Sequence, residues 1–275
     1  MICFAYFYNI KLVSITNCLT GCILNEMIMK KLTESILIAG ILVAGIALSS
    51  CTNQANTKNA AQQVQPVKAA SDIAVLDTAW TQLFNGKDLT GWKHVGPGFM
   101  TVDSGLIKNH GGMGLLYWTG GKVGNCQIKV VWHMKDKNDN SGIFIRIPLE
   151  PREEWMPVNY GYEVQIDNDP EASGEDEYHE TGMLYSLTKP LVKNAWLPGP
   201  QYNTEEITLD GPRTIVFLNG KKVTDFTEGD SVPARKFDFE PQRGRRPDFG
   251  WFGLQNHSDK EIVYFKEVEI RALKK

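Results

Sequence analysis

Two segments with alternating apolar and polar residues, 140–146 (followed by Ile147) and 161–167, are the clearest structural signals in the chain. Successive side chains of a strand point to opposite faces, so each segment predicts a strand with one apolar face. The second segment opposes its apolar row with three polar side chains, Glu163, Gln165 and Asp167. A polar strand face either meets water or lines a cleft, and the spacing alone leaves both open.

A third alternating segment, 251–257, carries Trp251, Gln255 and His257 opposite Phe252 and Leu254. In the first segment, alternation places Arg146 and Phe144 on the face opposite three isoleucines. If the three strands share a sheet, they gather six polar side chains in one place: Arg146, Glu163, Gln165, Asp167, Gln255 and His257. The alternative for the arginine is a cross-strand ion pair with Glu163, worth about 0.2–1 kcal/mol.

The rest of the region after residue 79 also reads as short strands separated by turns. Its clearest unit is a hairpin, in which segments 214–218 and 221–225 flank Asn219-Gly220, a dipeptide typical of a type I′ turn. No convincing amphipathic helix follows the N-terminal region. We therefore predict an all-β fold, an antiparallel sandwich of two sheets.

The N-terminal region resembles a bacterial lipoprotein signal peptide over residues 29–50. Lys30 and Lys31 precede an apolar run of about fifteen residues, short for a spanning helix of roughly 20, and small residues lead to Cys51. A single transmembrane anchor is the alternative. We expect lipid attachment at Cys51, and the absence of Asp at position 52 favours, by resemblance to such lipoproteins, the outer membrane, on its periplasmic or cell-surface side.

The signal peptide sets the remaining domain boundaries. Residues 1–28 lie upstream of it and are interpreted as a mis-assigned start, which leaves Cys126 as the thiol of the mature domain and predicts no internal disulfide. Residues 51–78 are poor in large apolar groups and predict a flexible lipidated tether. Residues 79–275 remain as one domain.

Composition excludes some classes of partner. The chain has 275 residues, a net charge of -3 and 42% hydrophobic content. These are values of an ordinary globular protein with no basic patch for nucleic acid, so we expect no nucleic-acid partner.

Six short motifs occur in the order found in the 3-keto-disaccharide hydrolase family, as seen in lipoproteins of Bacteroidetes: residues 84–92, 140–146, 161–167, 181–185, 218–220 and 253–257. The sequence resembles that family over nearly the whole mature domain. The resemblance implies a jelly-roll sandwich like the concanavalin A-type lectins and glucanases, with a carbohydrate substrate. It also implies hydrolysis of glycosides whose ring was first oxidised to a 3-ketone by a separate dehydrogenase.

Chemistry on such a substrate needs a base, a donor to an enolate oxygen and an acid. A ketone at carbon 3 acidifies the hydrogen on carbon 2, and its removal leads to expulsion of the group on carbon 1 and later addition of water. Glu163 or His257 is the candidate base and Arg146 the candidate enolate partner. Asp167 is the candidate orienting acid.

Other side chains are candidates for binding sugar or metal. Amides at Asn140, Gln165 and Gln255 are suited to sugar hydroxyls, and four aromatic residues in irregular segments are suited to stacking or, equally, to core packing: Trp155, Tyr160, Tyr185 and Trp196. The acidic segment 167–180 is interpreted as a solvated loop. No cofactor is indicated with certainty; a divalent metal bound by Glu163, Asp167 and His257 remains open.

Two alternative functions also remain open. A noncatalytic carbohydrate-binding module needs the aromatic and amide groups but no base. An ordinary jelly-roll glycosidase needs two carboxyl groups at a defined separation, and the neutral Gln165 in the Glu163-x-Gln165-x-Asp167 pattern counts against it.

Overall fold

The computed structural model describes residues 72–274, and within them the fold is the predicted sandwich of two antiparallel sheets. The eight-stranded sheet has the order β11-β10-β9-β6-β13-β4-β3, with β1 paired to β13. The strands of this sheet are β1 (Thr81–Gln82), β3 (Phe99–Asp103), β4 (Leu106–His110), β6 (Cys126–Met134), β9 (Asn203–Asp210), β10 (Arg213–Leu218), β11 (Lys221–Thr227) and β13 (Val263–Ala272).

The five-stranded sheet has the order β2-β5-β12-β7-β8 and carries the three segments with polar faces. Its strands are β2 (Trp92–Val95), β5 (Gly114–Trp118), β7 (Asn140–Ile147), β8 (Tyr162–Asp167) and β12 (Trp251–Asn256). A short helix, α1 (Trp155–Tyr160), connects β7 to β8, and two 3₁₀ turns follow β8 at Pro170–Ser173 and Glu177–His179.

The main core lies between the sheets and follows from the period of two along each strand. Residues alternate in the β6 sequence between buried and half-buried, and the buried set packs against the apolar face of the other sheet. Tyr162, Val164 and Ile166 of β8 belong to this core. Their neighbours in sequence therefore face away from the eight-stranded sheet.

The predicted hairpin is confirmed. Strands β10 and β11 pair with Leu218 opposite Lys221, and the two turn residues Asn219 and Gly220 have φ values of 51° and 78°. Both lie in the left-handed region that a type I′ turn requires. The hairpin closes one edge of the eight-stranded sheet.

A bulge in β7 changes which side chains share a face. Trp251 pairs with Ile147 and Gly253 with Phe144, so Ile145 and Arg146 together oppose the single residue between Trp251 and Gly253. Arg146 has a φ of 54°. As a result Ile147 joins Phe144 on the outer face, and the expectation that all three isoleucines share one face is wrong.

The described end of the predicted tether contacts the sandwich. The Lys122 amide donates to the Asp72 carbonyl, the Ala74 amide to the Lys122 carbonyl at 2.9 Å, and the Ala272 amide to the Asp77 carbonyl at 2.7 Å.

Cys126 is a buried free thiol. The predicted signal peptide and the lipid attachment at Cys51 lie outside the described residues. Within residues 72–274, no helix has the length and apolar character to cross a membrane.

Candidate functional site

The outer face of the five-stranded sheet carries the polar row of β8. Strand pairing sets Glu163 opposite Phe144, Gln165 opposite Gly142 and Asp167 opposite Asn140. This row is buried rather than solvated, because loops and α1 cover it: Glu163 is 7% exposed and Gln165 is 1% exposed. Of the two readings of the pattern, the lined cleft is the one found.

Glu163 occupies space that a glycine leaves free on the neighbouring strand. A Cβ at position 142 would lie 2.7 Å from Cγ and 2.9 Å from Cδ of Glu163. Real Cβ atoms essentially never approach a neighbour within 3.0 Å. Gly142 therefore permits the glutamate side chain to fold across β7.

A cavity of about 340 Å³ opens above these strands. Its floor comes from β7, β8 and β12, and its walls come from α1, the segment after β8 and the long segment between β11 and β12. Twelve residues line it: Met113, Asn140, Trp155, Val158, Glu163, Gln165, Ser173, Glu175, Tyr185, Phe239, Gln255 and His257.

Burial controls the proton affinity of Glu163. Removal from water disfavours the charged carboxylate and raises its pKa well above the ordinary value of 4.5. The negative charge of Glu175 raises the pKa further, while a hydrogen bond with Gln255 opposes the shift. A carboxyl group with a raised pKa is a stronger base once ionised.

Asp167 lies at the end of the same row and holds Asn140. Its Oδ2 accepts a hydrogen bond from Asn140 Nδ2 at 3.2 Å, and its Oδ1 accepts one from the Asp169 amide at 2.9 Å. Burial raises the pKa of Asp167 to about 6, although the bond from the Asp169 amide opposes the shift. Asn140 lines the cavity and Asp167 lies behind it, so the aspartate orients an amide rather than meeting a ligand directly.

Three amide side chains on the floor have acceptor oxygens without a protein partner. These atoms are Oδ1 of Asn140 and Oε1 of Gln165 and Gln255, and each is buried. A buried carbonyl oxygen without a donor costs free energy, so such a group in a cavity favours a ligand that supplies hydroxyl donors.

The segment after the second 3₁₀ turn covers the open edge of β8 and positions Tyr185. The Gln165 amide donates to the Met183 carbonyl at 2.9 Å, and the Tyr185 amide donates to the Glu163 carbonyl at 2.9 Å. The Tyr185 hydroxyl donates to Glu175 Oε1 at 2.9 Å. Burial, followed by the charges of Glu175 and Glu163, raises the pKa of Tyr185, so the phenol keeps its proton.

His257 lines the cavity from the end of β12 and is paired at its other side. Its Nδ1 lies 2.5 Å from Oε2 of Glu261, and its side chain is 41% exposed. The predicted proximity of Glu163, Gln165, Gln255 and His257 is thus present in the cavity.

Arg146 is not part of this site, and the prediction that it faces the Glu163 row is corrected. The bulge in β7 turns its side chain towards the opposite sheet, where Nη2 donates to the carbonyls of Gly211 and Arg213 and Nη1 to that of Pro247. Its Nε donates to Thr214 Oγ1. The arginine is fully buried and joins the two sheets.

Of the four aromatic residues predicted to bind sugar, two line the cavity and two do not. Trp155 and Tyr185 line the cavity. Tyr160 ends α1, is 53% exposed and does not line it, and Trp196 packs against the main core, as its alternative interpretation proposed. Trp155 and Tyr160 lie on a helix rather than in an irregular segment, because the proline between them, Pro157, falls in the first turn, where helices tolerate it.

Sequence reasoning missed several cavity residues, above all Glu175 and Phe239. Glu175 belongs to the acidic segment interpreted as a solvated loop, and Phe239 belongs to a segment of 23 residues without strands or helices between β11 and β12. Composition showed the acidic character but not which carboxyl points inward.

The arrangement of the acidic and histidine side chains bears on whether this site can bind a metal ion. No group of three or more His, Cys, Asp or Glu side chains among residues 72–274 is arranged to hold a metal ion. Asp167 and His257, two of the three predicted ligands, have separate partners in Asn140 and Glu261.

The family model of 3-keto-alpha-glucoside-1,2-lyase-like domains matches residues 79–271. A Parabacteroides distasonis protein, proposed to be a glycosyl hydrolase, is 28% identical with a TM-score of 0.57, and the match covers 71% of this chain and 94% of that chain. No curated protein has significant similarity to the sequence.

Two further solved structures support the fold alone. A second Parabacteroides distasonis protein of the same description is 20% identical with a TM-score of 0.57, covering 71% of this chain and 100% of that chain. A Bacillus subtilis protein with a galectin-like fold is 9% identical with a TM-score of 0.50, covering 72% and 96%. The jelly-roll architecture expected from the sequence is confirmed.

Proposed function

The chain belongs to the family of 3-keto-alpha-glucoside-1,2-lyase-like domains, and from that premise we propose that it cleaves glycosides carrying a ketone at carbon 3 by base-initiated elimination. The observation that carries the proposal is Glu163, a buried carboxyl group with a raised pKa on the floor of a cavity lined by amide groups. These are the features expected of a base that acts on a carbon acid held by hydroxyl contacts.

Glu163 removes the hydrogen from carbon 2 in the proposed first step. The electron pair of the C–H bond forms the double bond of an enolate between carbons 2 and 3, and negative charge develops on the ketone oxygen. Tyr185, a phenol that keeps its proton, turns its hydroxyl from Glu175 to this oxygen and donates a hydrogen bond to it, in the role first assigned to Arg146. General base catalysis typically contributes about 10²–10⁴-fold, and one oxyanion donor roughly 10²–10³-fold.

The second step breaks the bond between carbon 1 and the leaving oxygen. The ketone re-forms, the enolate electrons move to a double bond between carbons 1 and 2, and the leaving oxygen takes a proton from His257. This imidazole lines the cavity and is oriented through Nδ1 by Glu261. Addition of water across the double bond then gives the 3-keto sugar, so that the net reaction is hydrolysis.

Binding of the sugar ring rests on the cavity floor. The unpartnered oxygens of Asn140, Gln165 and Gln255 accept hydrogen bonds from hydroxyl groups in this scheme. Asp167 acts as a positioning residue through its bond to Asn140.

The proposed reaction requires a partner and a place in the cell. The ketone must be introduced by a separate dehydrogenase upstream, because elimination itself changes no oxidation state at carbon 3. We also propose that the protein works at the bacterial outer membrane, anchored through a lipid on Cys51.

One assay tests the proposal. Purified protein is incubated with a disaccharide and, separately, with its 3-keto derivative, and release of free sugars is followed with and without a chelator. Cleavage of the keto form alone supports the proposal. Cleavage of the unoxidised form would favour an ordinary glycosidase, and binding without any cleavage would favour a carbohydrate-binding module.

A further inference from the structure

The mouth of the cavity differs in character from its floor. Four apolar side chains line the cavity beside the carboxyl and amide groups: Met113, Trp155, Val158 and Phe239. Trp155 is 45% exposed and Phe239 is 48% exposed, so both aromatic rings offer surface to a ligand. Exposed aromatic surface at a concave site, on two different chain segments, is typical of a binding surface.

Phe239 is held in place although its segment has no regular structure. Phe237 stacks on its ring with centroids 5.0 Å apart and planes at 7°, and Phe237 in turn packs against His179, which is 1% exposed. The next residue, Glu240, is 1% exposed and accepts hydrogen bonds from the Lys236 amide and Arg243 Nη2 at 3.0 Å. The segment therefore presents Phe239 in a fixed position.

Trp155 lies on the helix that forms another wall of the cavity. It is the first residue of α1, and its amide donates to Glu153 Oε2 at 2.9 Å. Pro157 and Val158 on the same helix are buried, and Val158 packs against the outer-face cluster that includes Phe144. Helix packing thus fixes the tryptophan independently of Phe239.

Charge and size limit what the mouth can accept. The lining residues include two carboxyl groups, Glu163 and Glu175, and no lysine or arginine among the residues that the structure describes. Such a site disfavours a substrate whose aglycone carries its own negative charge, such as a carboxylate. At about 340 Å³ the cavity is near the lower end of the range of roughly 300–1,000 Å³ for small-ligand pockets.

We propose that the leaving-group side of the cavity selects an uncharged aromatic aglycone, so that the substrates are 3-keto glycosides of phenols. The inference rests on the proposed function, which places the sugar ring over Glu163. A second sugar placed against Met113 and Phe239 would find no partners for its hydroxyl groups on these side chains, whereas a phenyl ring would make apolar and aromatic contacts with them and with Trp155.

Kinetics with paired substrates test the selection. The substrates are the 3-keto derivatives of methyl and phenyl glucoside, and the variants are Phe239→Ala and a control, Phe99→Ala, which removes an aromatic ring of 49% exposure elsewhere. We expect Phe239→Ala to lower kcat/KM for the phenyl substrate by roughly three- to tenfold, with less than a twofold change for the methyl substrate. For each substrate, kcat/KM of the variant is divided by kcat/KM of the wild type, so the fact that phenol is a better leaving group than methanol does not affect the comparison. Equal losses on both substrates, or a loss of the same size in Phe99→Ala, would overturn the inference.

A binding measurement separates this inference from the proposed function. Calorimetry with unoxidised phenyl glucoside and with its 4-carboxyphenyl analogue needs no turnover. Tighter binding of the neutral compound, weakened by Phe239→Ala, supports the aromatic selection even if no 3-keto substrate is cleaved. Equal binding of both compounds, unaffected by the substitution, overturns it even if cleavage is observed.

Discussion

The side chain of Glu163 crosses the neighbouring strand directly over Gly142, where a Cβ would lie 2.7 Å from the glutamate Cγ. The missing side chain at position 142 thereby leaves the room that the Glu163 side chain occupies. Glu163 is the centre of the proposed chemistry, so this relationship makes Gly142 a positioning residue for it.

Substitution Gly142→Ala should displace the carboxyl group while leaving the fold intact. The added methyl group forces a shift that costs typically 1–3 kcal/mol, and a misplacement of about 1 Å can lower kcat by roughly 10²-fold. Activity on a 3-keto glycoside and thermal unfolding are the measurements. In a Glu163→Ala background, which removes the atoms that the new methyl group would meet, the same alanine should cost less than half as much in the free energy of unfolding, and an additive loss would contradict the relationship.

Two buried glutamates should weaken the fold as pH rises. Glu205 of β9 is 0% exposed, and burial raises its pKa well above 4.5, as it does for Glu163. Between that ordinary value and the raised value, the unfolded chain binds fewer protons than the folded one. Each group therefore lowers the free energy of unfolding by up to about 1.4 kcal/mol per pH unit, and its contribution is fully present only below pH 4.5.

Glu163→Gln and Glu205→Gln should each stabilise the protein more at pH 8 than at pH 5, as measured by thermal unfolding. Only Glu163→Gln should abolish activity. Glu206→Gln is the control for the loss of one carboxyl group, because Glu206 is the neighbour of Glu205 on β9 and points to the opposite side of that strand. Unfolding curves that shift in parallel with pH in wild type and both variants would refute the prediction.

Asp167 should make ligand binding depend on pH near 6. Its pKa is raised to about 6, so the carboxylate that accepts the Asn140 hydrogen bond is present above that pH and protonated below it. The affinity for phenyl glucoside, measured by calorimetry, should fall as pH decreases through about 6. Asp167→Asn should remove this dependence, while Asp169→Asn, which keeps the backbone amide bonded to Asp167, should retain it.

Arg146 should matter for stability rather than for chemistry. Its guanidinium bonds to three backbone carbonyls and to Thr214 Oγ1 across the two sheets, and Arg146→Lys leaves several of these buried acceptors unpaired. We expect a loss of about 3 kcal/mol or more in the free energy of unfolding. Below the melting temperature kcat/KM per folded molecule should change by less than about twofold. A large loss of kcat with unchanged stability would restore the arginine to the active site.

The fold and most residues of the cavity floor could be predicted from the sequence. Alternation in β8 identified Glu163, Gln165 and Asp167 as one row, because side-chain direction in a regular strand depends only on position. Alternation failed at Arg146, since a bulge with positive φ reverses the faces and leaves no signal in an otherwise regular pattern.

The cavity walls were less accessible to sequence reasoning. Glu175 and Phe239 reach the cavity through tertiary contacts of irregular segments, such as the Tyr185 hydrogen bond and the Phe237 stack. No local periodicity records such contacts. Trp196 is the opposite case. It was a candidate for sugar binding because it lies in an irregular segment, but it packs against the main core.

The central claim is removal of the hydrogen on carbon 2 in this cavity, and an isotope effect measures that step. The rate of phenol release is compared for 3-keto phenyl glucoside with hydrogen and with deuterium at carbon 2, using wild type and Glu163→Gln. The account predicts severalfold slower release from the deuterated compound, no release from unoxidised phenyl glucoside, and loss of activity in the variant. Equal rates for the two isotopic forms, together with release from the unoxidised glucoside, would contradict it.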